Sequence, residues 1–535
     1  MKKIPSIPLS ILGALLLSMA WQKYFTIFIF VAFVPLLFVA DEFGWDQPKK
    51  RKGLKKFGLF YLSFLIWNLL TTWWVYNASP AAVMAWTLNS LFMVWALRLA
   101  WWTKKRFNSD ASYFILVPFW LAFEYLHQNW DLSWTWLTLG NAFANQSNLV
   151  QWYEITGTSG GSAWILAVNI LIFLLIKKRI ELGNWNKKLS LSIVLILFIP
   201  TFFSYIIYYT VDARIASSKL KEQRIVVVQP NIDPYNEKFS SDPQVQIEKT
   251  LKLLNENIKS LNEVDYLVFP ETFLTSNMWE SELPDVFEIQ YLREKLISQN
   301  KDLKIVSGAN TLKLYEPGEK KTPTAHKFTQ EEGYYDSYNS AIQIDSTKNV
   351  QVYRKSKLVP GSEIMPFLWL FKPLEKYALD LGGTVGSLGL QKERSVFKTN
   401  DLNIAPIICY ESVYPEYVTE YVKNGANLLF IVTNDGWWGD TPGYHQHLVY
   451  GALRAIETRK PIARSANTGT SCFVNEKGEV YNATSWWQPA IIKATLNPNT
   501  YQTLFVKLGD VLAKASLMLA VILFIISLYK RFAKR

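Results

Sequence analysis

Three residues in the middle of this 535-residue chain have the types that acyl transfer through a thiol requires. Glu271 follows the apolar run VDYLVFP (264–270), Lys355 lies in YRKSKLVPGSE (353–363), and Cys409 stands where LNIAPIICYESV (402–413) turns polar. Cysteine attacks as a thiolate and needs a base. A carboxylate in a partly apolar setting has its pKa raised towards neutrality and takes that proton. A fixed cation stabilises the tetrahedral oxyanion, helped by a backbone N–H beside the nucleophile. Singly, each residue has a plainer reading. A lone Cys is a weak signal and often a core thiol, a Glu at a strand end often only assists a helix N-terminus, and a Lys in a basic hairpin is usually solvated. The chemistry is carried by the three together.

Such residues need strand ends to hold them. Short apolar runs recur at RIVVVQ (224–229), VDYLVFP (264–270), LKIVSGAN (303–310), SAIQI (340–344), VQVYRKSK (350–357), NIAPIICY (403–410), NLLFIVTN (427–434), PIARSAN (461–467) and SCFVNEKGEVYN (471–482). Helical spacing falls at 243–262 and about 285–299, and a helix over Tyr414–Lys423 follows Cys409 directly. Residues 316–330 read as a polar loop. Strands alternating with helices predict an α/β domain, here two packed sheets with helices outside, and polar residues at the strand ends mark its site.

The flanks differ in composition. Half of the residues are hydrophobic and 22 are Trp, and the apolar ones crowd into the first 210 and last 30 residues. Stretches long enough to cross a bilayer lie at about 6–22, 24–41, 57–76, 79–101, 111–127, 161–176, 190–209 and 510–529. Basic residues sit on alternate loops: Lys2 and Lys3; Lys49, Lys50, Arg51, Lys52, Lys55 and Lys56; Lys104, Lys105 and Arg106; Lys177, Lys178, Arg179, Lys187 and Lys188; Lys530, Arg531, Lys534 and Arg535. The intervening short loops hold only Lys23. Positive loops stay in the cytoplasm, so eight spans with both termini inside are predicted. The expected organisation is seven spans in 1–210, an external catalytic domain in 211–505, and an eighth span with a basic tail in 506–535. The first span reads alternatively as a signal peptide with Ser18-Met19-Ala20 at its cleavage site. The Trp-rich loop 128–160 is expected at headgroup level. Glu124 and His127, near the end of span five, read equally as functional groups or as interface-exposed ones.

The net charge of +12 is explained by these loops, and no nucleic acid is implied. Two cysteines, Cys409 and Cys472, make no disulfide framework, and pairing them would tie up a nucleophile. His445 and His447 have no Cys or carboxylate set to complete a metal site, so they read as structural or substrate-side groups. No metal or cofactor is expected.

VFPET (268–272), YRKSKLVPGSE (353–363), IICYES (407–412), TNDGWWGDTPGYHQHL (433–448) and RAIETRKPIARSANTG (454–469), with SWTWLTLGNAF (133–143) and ITGTSGG (155–161) in the flank, resemble a known family in type and order. The chain is similar to the nitrilase (carbon–nitrogen hydrolase) superfamily, and within it to the bacterial apolipoprotein N-acyltransferases, over nearly its whole length. The resemblance implies a nitrilase-like αββα sandwich inserted before the last of eight transmembrane helices. It implies Glu271 as general base, Lys355 as oxyanion stabiliser and Cys409 as the acylated nucleophile. It matches Glu363 and Glu411 to acidic positions that position Lys355 and the incoming amine, and gives the Tyr410 N–H as second oxyanion donor. The implied reaction is ping-pong. A membrane phospholipid acylates Cys409 as a thioester and leaves as lysophospholipid, and the α-amine of an S-diacylglyceryl cysteine on an apolipoprotein takes the acyl group. The implied setting is the bacterial inner membrane with the catalytic domain in the periplasm, and a monomer is sufficient for this chemistry. Gly361-Ser362 departs from the Phe-Gly that the family commonly carries before Glu363, and Asn434-Asp435-Gly436 departs mildly. Trp437 and Trp438 are expected either to line an apolar path to Cys409 or to be ordinary aromatics. Two other readings share some of these features: a membrane-anchored amidase or nitrilase acting on a small amide, and a non-catalytic lipid-binding scaffold.

Overall fold

The computed structural model describes residues 5–41, 52–330, 332–372 and 387–533. The cations at Lys2, Lys3, Lys49, Lys50, Arg51, Lys534 and Arg535 lie outside the described residues. The chain divides into two compact units, one of Met1–Tyr76, Pro80–Thr210 and Leu508–Arg535, the other of Asn77–Ser79 and Val211–Lys507.

The first unit is helical. Every expected span falls at least partly on helix: Ser6–Ala20, Val34–Asp41, Lys52–Thr72, Ala82–Lys104, Leu116–Gln128, Tyr153–Leu182, Lys187–Ile215 and Val511–Phe532. Among the described residues, four helices are long and apolar enough to cross a membrane: Ala82–Lys104, Tyr153–Leu182, Lys187–Ser218 and Val511–Phe532. Others are shorter than the hydropathy implied. Residues 24–41 hold a 3-10 turn at Thr26–Phe30 before the helix begins at Val34, and the helix of Tyr153–Leu182 is broken at Gly157, where φ is +60°. Val194, Phe198, Ile199 and Phe202 are exposed, as lipid-facing side chains are. The Trp-rich loop is largely packed in protein. It folds into 3-10 turns at Thr135–Leu137 and Leu139–Asn145, and Trp136 and Trp152 are buried in protein. Trp136 meets Trp74 edge-on at 4.9 Å. Glu124 and His127 are buried too, which removes simple exposure as their explanation. Glu124 Oε1 accepts from Trp120 Nε1 (3.0 Å) and Leu139 N (2.8 Å), and His127 Nδ1 from Trp130 Nε1 (2.9 Å).

The second unit is an αββα sandwich. Its strands are β1 (Gln223–Gln229), β2 (Tyr266–Val268), β3 (Leu274–Trp279), β4 (Lys304–Leu314), β5 (His326–Lys327), β6 (Tyr334–Ile344), β7 (Val350–Arg354), β8 (Phe397–Lys398), β9 (Asn403–Ile408), β10 (Leu428–Thr433), β11 (Ile462–Ala466), β12 (Cys472–Val474), β13 (Val480–Tyr481) and β14 (Ala490–Leu496). Among the described residues one sheet runs β14-β1-β2-β4-β6-β5, with β3 beside β4 and β7 beside β6; the other runs β13-β12-β11-β10-β9-β8. β1, β2 and β4 are parallel, as are β9, β10 and β11. Both sets are buried on two faces and therefore read as continuous apolar runs. β3, β5, β8 and β14 had no clear signal in the sequence, being short or polar on one side.

Alternation along β1 shows how the layers form. Val226 and Val228 pack with Ile247, Leu251 and Leu254 of the helix Pro243–Asn257, each such side chain contributing about 1.5–3 kcal/mol of burial. Asp242 caps that helix by accepting from Gln244 N, with Pro243 in its first turn. The opposite face of the sheet meets the second sheet: Tyr266 lies edge-on to Phe430 at 5.4 Å, and Ser465 Oγ donates to Val228 O at 2.8 Å. Outside the second sheet run the helices Pro415–Lys423 and Pro442–Thr458. Parallel strands place their C-terminal ends together, and that end holds the polar residues.

Candidate active site

Glu271 follows β2, Lys355 follows β7 and Cys409 follows β9. Lys355 Nζ donates to Glu271 Oε1 at 3.1 Å and to Glu363 Oε1 at 2.7 Å. Lys355 is 1% exposed and Glu271 6% exposed. Asn339 of β6 ties the pair together: its Nδ2 donates to Glu271 Oε1 (2.8 Å) and Glu363 Oε1 (3.2 Å), and its carbonyl accepts from Lys355 N (2.8 Å). Glu363 is fixed by the backbone, Oε2 accepting from Val359 N at 2.8 Å. The turn between them uses Gly361 at φ +81°, a conformation glycine takes without strain. The departure at Gly361-Ser362 thus still delivers Glu363 to Lys355.

Cys409 opens a 3-10 turn, Cys409–Val413, with φ +48°. A non-glycine residue there is strained and needs a reason. Here the surroundings hold it. Its carbonyl accepts from Ser412 Oγ at 2.8 Å and lies 3.1 Å from His447 Nε2, while His447 Nδ1 lies 2.9 Å from Asp435 Oδ1. Arg464 Nη2 donates to Asp435 Oδ2 at 2.7 Å. Burial works to raise the Asp435 carboxyl, but Arg464 and His447 hold it well below the usual carboxylate range. His447 is therefore structural, and His445, exposed and against the Tyr444 ring at 3.9 Å, points elsewhere. The two cysteines are free, and Cys472 is buried.

Glu411 bonds the chain next to Lys355 and, among the described residues, not its ammonium. Oε1 accepts from Tyr353 Oη (2.7 Å), Tyr417 Oη (2.6 Å) and Ser356 N (2.7 Å), and Oε2 from Ile408 N (2.9 Å) and Tyr421 Oη (3.2 Å). This buried carboxylate knots the residue before Cys409 to the residue after Lys355. It ties the main chain at Cys409 to the main chain at Lys355.

The charge states differ from the sequence expectation for Glu271. Burial acts to raise its pKa, but the Lys355 ammonium, the Asn339 amide and the Lys238 charge outweigh it, so the carboxyl sits below its ordinary value. Burial would lower Lys355, yet Glu271 and Glu363 hold its ammonium well above the usual lysine range. Cys409 is partly exposed. Burial and then the Glu271 carboxylate push that thiol far up, with Lys355 and the Thr433 hydroxyl opposing. The resting site is thus carboxylate, ammonium and thiol. Proton transfer must accompany attack.

Gly308 of β4 is the backbone contact that sets Glu271. A Cβ there would lie 2.4 Å from Thr272 N, 2.5 Å from Glu271 Cα and 2.6 Å from Pro270 O. All three are main chain and cannot swing aside. Gly308→Ala is expected to cost about 1–3 kcal/mol in stability and to lower activity at least tenfold by displacing Glu271, read as Tm and turnover; unchanged values would refute the contact's importance.

Trp437 meets Tyr235 edge-on at 5.2 Å and Phe239 nearly parallel at 6.4 Å, and Trp438 lies edge-on to His447 at 5.3 Å. Tyr235 Oη donates to Trp437 O at 2.6 Å. Sequence reasoning missed Asn339, Lys238, Asp435 and Arg464. Asn339 left one trace, a polar residue immediately before the run SAIQI (340–344).

A sandwich with Glu, Lys and Cys at the strand ends of facing sheets defines a class. The chain belongs to the carbon–nitrogen hydrolase family, whose model matches residues 224–504. Residues 13–171 match a second model, the apolipoprotein N-acyltransferase N-terminal domain. The chain is 27% identical over 534 residues to the apolipoprotein N-acyltransferase of Chlorobaculum tepidum, covering 98% of this chain and 96% of the relative. It is 25% identical to apolipoprotein N-acyltransferase 1 of Treponema denticola, over 94% of this chain and 92% of the relative.

Proposed function

We propose that this protein is an apolipoprotein N-acyltransferase. It transfers a fatty acyl chain from a membrane phospholipid, through a thioester on Cys409, to the α-amine of an N-terminal S-diacylglyceryl cysteine. The observation that carries this reading is the joint presence of the two family matches, one over the helical part and one over the sandwich holding Glu271, Lys355 and Cys409.

The geometry supports a mechanism in two halves. Cys409 Sγ attacks the ester carbonyl of the phospholipid while its proton passes to Glu271. Lys355 Nζ and the Tyr410 N–H stabilise the oxyanion. The C–O bond breaks, Glu271 returns the proton to the departing oxygen, and lysophospholipid leaves. The neutral α-amine then attacks the thioester carbonyl. Glu271 takes a proton from nitrogen, the C–S bond breaks, and that proton restores the Cys409 thiol. Asn339 and Glu363 hold Lys355 in place throughout, and Glu411 keeps the two chain ends in register. Trp437, Tyr235 and Phe239 supply apolar surface for an acyl chain, and exclusion of water favours the amine as acceptor. No metal or cofactor is needed for these steps.

The membrane arrangement belongs to the same proposal. Residues 1–210 provide seven transmembrane helices, 211–505 the catalytic domain and 506–535 the eighth helix with its basic tail. The basic loops place both termini in the cytoplasm of a bacterial inner membrane and the catalytic domain in the periplasm. Both substrates are bilayer lipids, and one copy of the chain suffices.

Intact-mass measurement after incubation with phospholipid tests the reading. A fatty-acyl adduct is expected on the wild type, absent from Cys409→Ser and discharged by a diacylglyceryl-cysteine peptide. Discharge by water alone would make the protein a hydrolase, and no adduct with any phospholipid would overturn the acyl-transfer reading.

A further inference from the structure

The catalytic centre holds a second buried cation. Lys238 lies in the turn that follows β1. Its N–H donates to Asp233 O at 2.8 Å and its carbonyl accepts from Gln246 Nε2 at 2.8 Å, so its main chain is held from two sides. The residue is 2% exposed. Its Nζ donates to the main-chain carbonyl of Glu271 at 2.8 Å and lies 5.7 Å from the centre of the Phe239 ring. Among the described residues that neutral carbonyl is its one hydrogen-bond acceptor.

This arrangement is uncommon for a buried lysine. Such an ammonium is ordinarily paired with a carboxylate, because burial without compensation is costly. Lys355 is paired twice. Lys238 has three N–H donors and spends one on the backbone of the general base. A packing role would be filled by an apolar chain at lower cost.

We propose that Lys238 is a positioning residue for the acylation step: its buried ammonium clamps the main chain of Glu271 and adds a second positive charge to the catalytic centre. The inference rests on the acyl-transfer reading and adds a fourth residue to its site. Burial pulls the Lys238 ammonium down to about 8, against Glu271 and Cys409, which favour its charge. It is therefore charged at neutral pH and loses its charge as pH rises through that value. The groups facing it are Glu271 and Cys409. Lys355 and Glu363 complete the charges around Glu271, and Asp435 acts on Cys409.

The test needs no lipid, so its failure is separable from failure of the acyl-transfer reading. Alkylation of Cys409 by iodoacetamide forms the S–C bond, expels iodide and sends the thiol proton to Glu271 or solvent. Its rate is followed from pH 5 to 10 on the full chain in detergent, at the peptide holding Cys409. Lys238→Gln keeps a donor for the Glu271 carbonyl and removes the charge; Lys238→Arg keeps the charge. We expect Lys238→Gln to react about tenfold more slowly at pH 7, with its profile moved up by about one pH unit, and Lys238→Arg to track the wild type. Superimposable profiles for Lys238→Gln and wild type would overturn the proposal. So would an Arg variant displaced as far as the Gln variant, since charge would then not be the cause. Comparable Tm values separate these outcomes from misfolding, and if the Gln variant does not fold, the loss of wild-type rate relative to Lys238→Arg above pH 8 decides.

Discussion

Glu271→Gln is expected to leave Cys409 without an acyl group at neutral pH. The substitution keeps the shape of the side chain and a carbonyl oxygen for Lys355 and Asn339, but it cannot accept a proton. Because the resting nucleophile is a protonated thiol whose pKa is raised by burial, attack without a base requires a scarce thiolate. Loss of a positioned general base costs about 10²–10⁴-fold, and the expected decrease in acyl-enzyme formation lies at the upper end. The pH profile distinguishes two accounts of the base. With the Glu271 carboxyl held below its ordinary value, the wild-type rate should persist as pH falls past about 4.3, the usual Glu value. A base raised towards neutrality would lose activity near pH 6–7. The linked stability has a matching sign: it is present above the unfolded pKa and lost as pH falls through the lower folded one. Single-turnover adduct formation by intact mass measures both. Wild-type rates in Glu271→Gln would refute the role, and an acid limb near pH 6.5 would refute the charge state.

Lys355→Met has the second large effect. Lys355 Nζ is the cation between Glu271 and Glu363, at 3.1 and 2.7 Å. Without it the two carboxyls share only the Asn339 amide. The largest charge holding the Glu271 carboxyl below its ordinary value is then gone, so that carboxyl takes up a proton more readily. The variant therefore loses the oxyanion cation and weakens the base at once, and a loss of about 10³-fold or more in acyl transfer is expected. Breaking a buried ion pair from one side destabilises by about 3–5 kcal/mol. That deficit should shrink as pH falls, because protonation of the Glu271 carboxyl relieves the buried charge that the missing cation leaves. Thermal unfolding at pH 5 and pH 8 reads it. A deficit independent of pH would show that packing, not charge, governs the site.

Gly308 and Glu411 explain why the site was only partly legible. Reactive residue types at the ends of apolar runs mark themselves, because a run of β-branched residues stops where the chain leaves the sheet. That pattern places Glu271, Lys355 and Cys409 at strand ends before any coordinates. It says nothing about a glycine whose missing Cβ admits Glu271, since the contact joins β4 to the loop after β2. Nor does it show that Glu411 reaches the Lys355 segment through the Ser356 N–H rather than through the ammonium. The residue lies two positions from the nucleophile, yet its carboxylate is consumed by three tyrosine hydroxyls and backbone N–H groups.

The sequence by itself determined the α/β character of the middle of the chain, the apolar flanks and the three reactive side chains. These depend on periodicity, composition and residue type, which are local properties. Three-dimensional packing alone shows that the Trp-rich loop is largely packed in protein, that Glu363 and not Glu411 bonds the Lys355 ammonium, and that Lys238 bonds the Glu271 carbonyl. It also decided the sign of the Glu271 shift. Burial and charge act on that carboxyl in opposite directions, and which one prevails depends on distances between residues 33, 68 and 84 positions apart in the chain.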